Sequence, residues 1–553
     1  MRTLTMKRHL EYPECSLYDL LEKKAGEFSG MCALNYFGMK LTFDKLIEKI
    51  SECAKALSAA GVRPGDSVSV CLPNIPEAVY LFYAINKVGA VANMIHPMSA
   101  ENEIVRFVKL TDSRIIFGVD LIAGKLEKVG KQCSGLEIIT VSVGRSMPML
   151  TKIGYTLTNK NKPPKTSAAD WSKFISGAAG KSGTNHHGKA DDTAAILYSG
   201  GTTGKPKGIM LTNMNFNALA IHSIDACGNL EPGMRMLSVM PVFHGFGLGV
   251  CIHTILILGG TAVIQPKFST RDFHKLLFRY RPDIIAGVPA IYESMIVNKN
   301  FDGKKLDFLK CIISGGDSLA PSTKKKLNAM LAEHGCKARV REGYGLTECV
   351  TGSCLMPDGS DNLLSVGLPY ADTFYEVIGS NGEVLPAGET GEIIIRGPSV
   401  MKGYYKEPEE TANTLKKRSD GYIWLHTGDI GYMDNEGYVY FRQRLKRMIV
   451  SGGYNIYPQN IEEVINSHKN VIMCAVVGVP DKIKGEKVRA CVVPAEGTDT
   501  EKLRAELMSM LKKEIAAYAL PKDMLFMSEL PKTLVGKIAY TELRSDNYEN
   551  GTE

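Results

Sequence analysis

An eleven-residue stretch lies at the centre of this chain: Tyr198-Ser199-Gly200-Gly201-Thr202-Thr203-Gly204-Lys205-Pro206-Lys207-Gly208. It contains four glycines, three serine or threonine hydroxyls and two lysines. Glycines allow a loop to present successive backbone N–H groups to an anion, while hydroxyl and ammonium groups add donors and positive charge. The apolar run at 194–197 just before it is typical of a buried strand. A strand that leads into such a loop predicts a phosphate-binding site.

The loop differs from the Walker A motif of P-loop NTPases, G-x-x-x-x-G-K-[ST]. Pro206 stands where that motif needs a hydroxyl residue, and Ser199 stands where it needs its first glycine. Proline supplies neither a magnesium-binding hydroxyl nor a backbone N–H group. A P-loop NTPase is therefore kept as a rival interpretation, which predicts hydrolysis of ATP to ADP and phosphate.

The composition is that of a globular protein of several domains, with 553 residues, 44% of them hydrophobic and 23% charged. The 66 basic and 59 acidic residues leave a net charge of +7, an excess too small at this length to indicate nucleic-acid binding. Thirteen cysteines without a C-x-x-C pair indicate reduced thiols instead of disulfides or a zinc site. The first residues lack the apolar core of a signal peptide, so we expect a cytoplasmic protein.

One segment, 246–264, is almost entirely apolar and approaches the length of a membrane span. It contains His253 and four glycines, so we interpret it as a buried helix followed by a turn and a buried strand at 261–264. We expect no transmembrane span, and the sequence leaves contact with a membrane surface open.

Strand–helix–strand patterns fill the first part of the chain. Apolar runs at 67–72 and 91–95 flank a helical pattern at 75–88, an arrangement typical of a parallel sheet with helices on its faces. From 144 to 191 the pattern gives way to Lys, Gly, Ser, Asn and Pro, which predicts an exposed, mobile connection with one short helix near 171–175. From about 377 alternating apolar residues predict a small antiparallel sheet or distorted barrel, and the residues after 445 predict a compact α+β domain.

The loop resembles the phosphate loop of the adenylate-forming enzymes, which include acyl-CoA synthetases, firefly-luciferase-like enzymes and nonribosomal peptide adenylation domains. Their loop reads [ST]-S-G-[ST]-T-G-x-P-K-G, and this chain follows it from Ser199 to Gly208 except at Gly200, where the pattern has serine. Further motifs of that family follow in order: P-V-F-H-G-F-G at 241–247, S-G-G-D at 314–317, E-G-Y-G-L-T-E at 342–348, T-G-D at 427–429, R-L-K at 444–446, S-G-G-Y-N-I-Y-P at 451–458 and P-K-T-L-V-G-K at 531–537. The resemblance is strongest to bacterial medium- and long-chain fatty acyl-CoA synthetases.

This resemblance implies an α/β fold in two domains. Residues 1–444 would form a large N-terminal domain of parallel-type sheets with flanking helices and a small distorted β-barrel, and residues 445–553 a small mobile α+β domain. The implied reaction joins a carboxylic acid to ATP as an acyl adenylate with release of pyrophosphate, and then transfers the acyl group to a thiol. It requires ATP, Mg²⁺ and coenzyme A, and a fatty acid is the leading candidate for the acid.

The resemblance also implies the binding residues. Those for the phosphates are Ser199, Gly200, Gly201, Thr202, Thr203, Gly204 and Lys207. Those around the nucleoside are Gly315, Gly316, Asp317, Gly343, Tyr344, Gly345, Thr347 and Asp429, with Tyr344 packed on adenine and Asp429 accepting the ribose hydroxyls. Those from the hinge onward are Arg444 for phosphate or ribose oxygens, Lys446 as the hinge, Gly452 and Gly453 at the pantetheine tunnel, and Asn455.

Four residues are implied at the reaction itself. Lys537 would bridge the attacking carboxylate and the α-phosphate. Glu348, with Thr203 nearby, would bind Mg²⁺, because this ion takes oxygen ligands. His244 would form a gate or wall of the acyl pocket.

Three further positions depart from the family pattern, namely Gln443, Arg447 and Tyr540. Because they lie at the predicted hinge and domain interface, we expect them to change the contacts made there. No Asp occurs between Leu237 and Pro266 to bind an α-ammonium group, which favours an unsubstituted acid over an amino acid. An aryl acid, a carrier-protein acceptor in place of coenzyme A, luciferase-like oxygenation and a non-catalytic nucleotide-binding protein remain alternatives.

Overall fold

The computed structural model describes residues 9–158, 163–181, 183, 186–198, 206–444, 447, 449–451, 454–456, 458–481, 485–516, 519–533 and 537–544. For residues 443, 444, 450, 454 and 455 it describes the backbone alone.

The first part of the chain alternates strands with helices, as the sequence predicts. The strand–helix–strand unit β3-α3-β4 falls where the apolar runs lie. The elements are α1 (Leu17–Glu27), β1 (Cys32–Tyr36), β2 (Met39–Thr42), α2 (Phe43–Ala59), β3 (Ser67–Cys71), α3 (Pro76–Lys87), β4 (Val91–Met94), α4 (Glu101–Leu110), β5 (Ile115–Val119), α5 (Ala123–Gln132), β6 (Glu137–Val141), α6 (Met149–Thr158), β7 (Ala169–Asp170), α7 (Trp171–Ser176) and β8 (Thr193–Tyr198).

The middle part continues this alternation and includes a rare π-helix. The elements are β9 (Gly208–Thr212), α8 (Asn213–Cys227), β10 (Arg235–Ser238), the π-helix (Phe246–Thr254), α9 (Ile255–Ile257), β11 (Thr261–Ile264), α10 (Phe273–Tyr280), β12 (Ile284–Gly287), α11 (Pro289–Val297), β13 (Cys311–Ser314), α12 (Pro321–Glu333), β14 (Val340–Tyr344), β15 (Cys354–Leu355) and β16 (Leu368–Pro369).

The last part is richer in antiparallel strands. The elements are β17 (Phe374–Ile378), β18 (Gly391–Arg396), β19 (Gly403–Tyr404), α13 (Pro408–Thr414), β20 (Leu415–Lys417), β21 (Ile423–Met433), β22 (Val439–Arg444), β23 (Ile449–Ser451), β24 (Tyr454–Ile456), α14 (Pro458–Asn466), β25 (Val471–Asp481), β26 (Gly485–Pro494), α15 (Thr500–Glu514), β27 (Asp523–Phe526) and α16 (Tyr540–Leu543).

Two large sheets share one hydrophobic core. The first has the strand order β19-β9-β8-β4-β3-β5-β6-β7, and the second β16-β15-β14-β13-β12-β10-β11-β1-β2. Both are parallel in the centre and antiparallel at one or both edges. Central strands such as β4 and β12 are covered on both faces, which explains their continuous apolar runs.

The two remaining sheets are smaller and belong to the later part of the chain. One is a five-stranded antiparallel sheet in which β18 and β21 are central. The other has the order β24-β23-β26-β25, with β27 against β26. The helices α14 and α15 cover this last sheet and share with it a separate hydrophobic core. The α/β fold predicted from the sequence is confirmed, whereas the domain boundary after residue 444 stays a prediction.

Two segments differ from their predicted form. The connection at 144–191 carries α6 in addition to the short helix at Trp171–Ser176. The apolar segment at 246–264 is buried and ends in β11, as predicted, but its helical part is mainly of the π type. Within the described residues, no helix is long and apolar enough to cross a membrane.

Candidate active site

The base of the predicted phosphate loop is fixed by Tyr198, the last residue of β8. Its ring stacks on Phe107 of α4, with ring centroids 3.7 Å apart, and its hydroxyl donates to Asn93 Oδ1 at 2.7 Å. The Tyr198 side chain therefore anchors the end of β8 on the helix and strand beside it. The loop residues Ser199, Gly200, Gly201, Thr202, Thr203 and Gly204 lie outside the described residues.

A short chain of contacts joins the end of that loop to Glu348. Lys207 forms an ion pair with Glu410, and its ammonium group lies 5.0 Å from the ring centroid of Tyr404. The hydroxyl of Tyr404 donates to Glu348 Oε1 at 2.9 Å. Burial and the Glu348 carboxylate raise the pKa of Tyr404, so this hydroxyl stays protonated and remains a donor.

The Glu348 carboxylate is suited to a magnesium site in which the substrate phosphates supply the other ligands. It lies on a 3₁₀ turn, Thr347–Cys349, directly after β14, and Met401 donates its backbone N–H to the Glu348 carbonyl at 2.7 Å. No group of three or more His, Cys, Asp or Glu in the described part of the chain could hold a metal ion. Mg²⁺ is commonly bound by one or two carboxylates together with substrate phosphates, so a single held carboxylate is compatible with it.

Tyr344 and Asp429, both predicted at the nucleoside, are brought together. Tyr344 donates its hydroxyl to Asp429 Oδ2 at 2.6 Å, and both side chains are buried. Phe441 stacks on the Tyr344 ring, with centroids 5.7 Å apart. Thr427 accepts the backbone N–H of Asp429 at 3.0 Å, which fixes the turn of the T-G-D motif. The backbone of Arg444 pairs with Asp429 across β21 and β22.

The S-G-G-D loop after β13 receives the predicted catalytic lysine. Gly316 has φ +85°, a conformation that favours glycine, and a Cβ placed on it would lie 3.5 Å from Lys537 Cε and 3.9 Å from Lys537 Nζ. The preceding Gly315 passes close to Phe246. Asp317 accepts the backbone N–H of Ser318 at 2.9 Å. The lysine near the end of the chain is therefore packed against the loop predicted to line adenine.

His244 is held as a neutral imidazole. Burial, and secondarily the nearby charge of Lys537, lowers the pKa of His244 to about 3. The backbone N–H of Phe246 donates to Nδ1 at 3.2 Å, so the proton of the neutral ring belongs on Nε2. His244 is thus a hydrogen-bond donor close to Lys537 and not a proton acceptor poised near neutral pH.

The backbone is strained at Val350, two residues after Glu348. Val350 is fully buried and has φ +63°, which is unusual for a β-branched residue. Its carbonyl lies so close to Gly245 that a Cβ there would approach the oxygen to 1.6 Å, and a Cβ on Gly345 would approach the carbonyl oxygen of Thr351 to 1.9 Å. The two glycine motifs are therefore needed for close backbone packing, a feature often found at functional sites.

Arg447 and Tyr540, two of the positions that depart from the family pattern, contact each other. The Arg447 guanidinium lies 3.7 Å from the ring centroid of Tyr540 and donates to Glu462 Oε1 at 2.6 Å. Asp317 of the S-G-G-D loop is close enough to influence the pKa of both residues. These groups, with Lys537, line a cleft with a cavity volume of about 90 Å³.

Several predicted residues remain untested by geometry. Lys446, Gly452 and Gly453 lie outside the described residues, as do the side chains of Arg444 and Asn455. Conversely, sequence reasoning missed Tyr404, Phe441 and the strained Val350. No local motif marks them, because each acts through a contact with a residue distant in sequence.

Comparison with known proteins identifies the family. The family model of the AMP-binding enzymes matches residues 21–405, and that of the AMP-binding enzyme C-terminal domain matches residues 460–537. The chain belongs to this family. It is an enzyme of the AMP-forming acyl-CoA ligase type. This assignment excludes two alternative interpretations of the sequence, a P-loop NTPase and a non-catalytic nucleotide-binding protein.

Relatives of this AMP-binding enzyme cover nearly its full length. A long-chain-fatty-acid–CoA ligase of Bacillus subtilis is 34% identical, over 98% of this chain and 96% of that protein. A feruloyl-CoA synthase of an Amycolatopsis species is 31% identical, over 93% and 95% of the two chains. Among solved structures, ATP-bound MatB from Rhodopseudomonas palustris is 26% identical with a TM-score of 0.81, over 95% and 98% of the chains.

Proposed function

We propose that this AMP-binding enzyme activates a fatty acid with ATP and transfers the acyl group to coenzyme A. The observation that carries this proposal is the position of Lys537 against Gly316, beside the neutral His244. A cation at this point lies between the predicted adenine loop and the start of the apolar π-helix. It is therefore suited to the place where a carboxylate would meet the α-phosphate of ATP.

In the first step a carboxylate oxygen forms a bond to the α-phosphorus, and the bond between the α-phosphorus and the bridging oxygen breaks to release pyrophosphate. Two anions approach each other in this step, so a preorganised cation stabilises the transition state more than the separated reactants. Lys537 would supply that charge. His244, because it is neutral, adds no further charge and can offer its Nε2–H as a hydrogen-bond donor.

The nucleotide would be held from three sides. Tyr344 and Phe441 offer an aromatic surface for adenine, and Asp429 offers carboxylate oxygens for the ribose hydroxyls. Glu348 would hold Mg²⁺, supported by Tyr404, and the ion when bound would neutralise the phosphate charge. Thr203 and the other phosphate-loop residues remain part of this proposal on the strength of the sequence motif.

In the second step the thiol sulfur of coenzyme A attacks the acyl carbonyl carbon, the carbon–oxygen bond to AMP breaks, and the thiol proton is lost. The predicted rotation of residues 445–553 about Lys446 would exchange Lys537 for the Gly452–Gly453 loop. We further propose that the enzyme works in a reducing cytoplasm, because all thirteen cysteines lie among the described residues as free thiols.

Two observations bear on the acid. The π-helix Phe246–Thr254 beside His244 is buried and apolar, which favours an alkyl chain. The long-chain ligase of Bacillus subtilis supports the same choice. The feruloyl-CoA synthase at 31% identity favours an aryl acid as the second candidate.

A substrate panel tests the proposal. Pyrophosphate release is measured with ATP and Mg²⁺, with and without coenzyme A, for acids from acetate to palmitate and for benzoate and coumarate. We expect the largest kcat/KM for a fatty acid and turnover only with coenzyme A. A preference for coumarate would establish the aryl alternative, and a single burst without turnover would indicate a carrier-protein acceptor.

A further inference from the structure

The helix α6, Met149–Thr158, buries none of its residues. Four of its side chains are large, apolar and exposed: Met149 at 79%, Leu150 at 85%, Ile153 at 48% and Leu157 at 81%. Isolated exposed apolar residues are common on protein surfaces, but a cluster on one short helix marks an interaction site. We call these four residues the apolar stripe.

The geometry of the helix gathers the apolar stripe on one side. At about 100° per residue, the four positions fall within an arc of about 100°. Thr151 and Tyr155 lie on the opposite side, and the Tyr155 ring packs against the protein core near Gly144. The helix is therefore attached to the protein through Tyr155, and the stripe faces away from the core.

The sequence on both sides of α6 carries charge of one sign. Between Glu137 and Asp170 the sequence contains no acidic residue and five basic ones: Arg145, Lys152, Lys160, Lys162 and Lys165. Lys152 on the helix and Lys165 after it are exposed. Lysine side chains can extend their ammonium groups towards lipid headgroups while their methylene groups cover apolar surface.

We propose that α6 is a membrane-docking helix that lies flat on an anionic phospholipid bilayer. The apolar stripe enters the boundary between headgroups and acyl chains, and Lys152 and Lys165 contact the phosphate groups. An amphipathic helix with basic sequence flanks is typical of such interfacial binding, whereas a protein partner would not require flanks without acidic residues. The proposal goes beyond the ligase activity and does not depend on which acid is activated.

Vesicle binding tests this proposal with the full-length protein. Co-sedimentation is measured with neutral phosphatidylcholine vesicles and with vesicles that contain roughly one-third phosphatidylglycerol. The variant Leu150→Ser/Leu157→Ser removes half of the apolar stripe. The matched control is Val384→Ser/Ile423→Ser, which removes two exposed aliphatic side chains, 54% and 58% exposed, from the antiparallel sheet region.

We expect binding to the anionic vesicles, a decrease of about tenfold or more in the stripe variant, and wild-type binding in the control. Burying even one leucine is worth more free energy than a tenfold change requires. Binding should also weaken when the salt concentration is raised to about 0.5 M. Pyrophosphate release with a water-soluble acid should be equal in all three proteins, which shows that the variants are folded.

Three results would overturn the proposal. One is the absence of binding to anionic vesicles, and another is equal binding by the wild type and the stripe variant. The third is a dimer of the wild type, without lipid, that the stripe variant dissociates. That result would assign the apolar stripe to contact between two copies of this chain.

Discussion

Replacing Lys537 by alanine should separate the two half-reactions. The lysine lies against Gly316, and its charge contributes to the low pKa of His244, so it is a cation within the candidate active site. Only the first half-reaction displaces pyrophosphate and brings a carboxylate to the α-phosphate. The thiol attack on the finished acyl adenylate needs no such bridge.

The expected loss follows from the role of one preorganised charge. Removing a single group that stabilises developing charge in an enclosed site costs about 3–4 kcal/mol, or a factor of about 10²–10³ in rate. Lys537→Ala should reduce carboxylate-dependent pyrophosphate release by this factor. The change in thiol transfer from supplied acyl adenylate should stay within about threefold, a difference of less than 1 kcal/mol.

The assay measures the two half-reactions separately on one protein preparation. Pyrophosphate release reports adenylate formation, and acyl-CoA formed from supplied acyl adenylate reports the second step. Lys522→Ala is the matched control, because Lys522 carries the same charge in the same part of the chain but is exposed and outside the cleft. Equal losses in both half-reactions, or a full rate of pyrophosphate release, would refute the role assigned to Lys537.

Three further perturbations test other parts of the site. Tyr404→Phe removes the hydroxyl that holds Glu348 and should raise the Mg²⁺ concentration needed for half-maximal activity about three- to tenfold, as expected for loss of a supporting hydrogen bond to a metal ligand; an unchanged Mg²⁺ titration would contradict this. Tyr344→Phe removes the hydrogen bond to Asp429 and should raise KM for ATP several-fold with little change in kcat, so a fall in kcat alone would contradict it. Burial raises the pKa of Glu293 to about 7, so the folded protein binds the proton of the Glu293 carboxyl more tightly than the unfolded chain does. The contribution of this proton to the free energy of unfolding is present at low pH and is lost as the pH rises through 7. The thermal unfolding midpoint of Glu293→Gln should therefore fall less than that of the wild type between about pH 5.5 and pH 8. Equal decreases of the midpoint in the two proteins would contradict this account.

The central strands and the main motifs could be predicted because their signals are local. Strands such as β4 and β12 are buried on both faces, so their sequences are continuous apolar runs. The glycine motifs were also recognisable, since each is a short run of residues that resembles a motif of the family. These features depend on residues that are near one another in sequence.

Other features depend on contacts that the sequence does not reveal. The support of Glu348 by Tyr404 joins positions 56 residues apart, and the stack of Arg447 on Tyr540 joins two departures from the family pattern. The helix α6 was missed because its flanks are rich in lysine and proline, although its apolar residues recur at helical spacing. The π-helix could not be distinguished from an α-helix, because a segment that is apolar on every side has no periodicity.

The stoichiometry of the nucleotide products tests the central claim most directly. The enzyme is incubated with ATP, Mg²⁺, coenzyme A and a fatty acid, and AMP, pyrophosphate and acyl-CoA are measured together. The account predicts equal amounts of all three, and none without the acid. Formation of ADP and phosphate, or formation of AMP that does not depend on the acid, would contradict it.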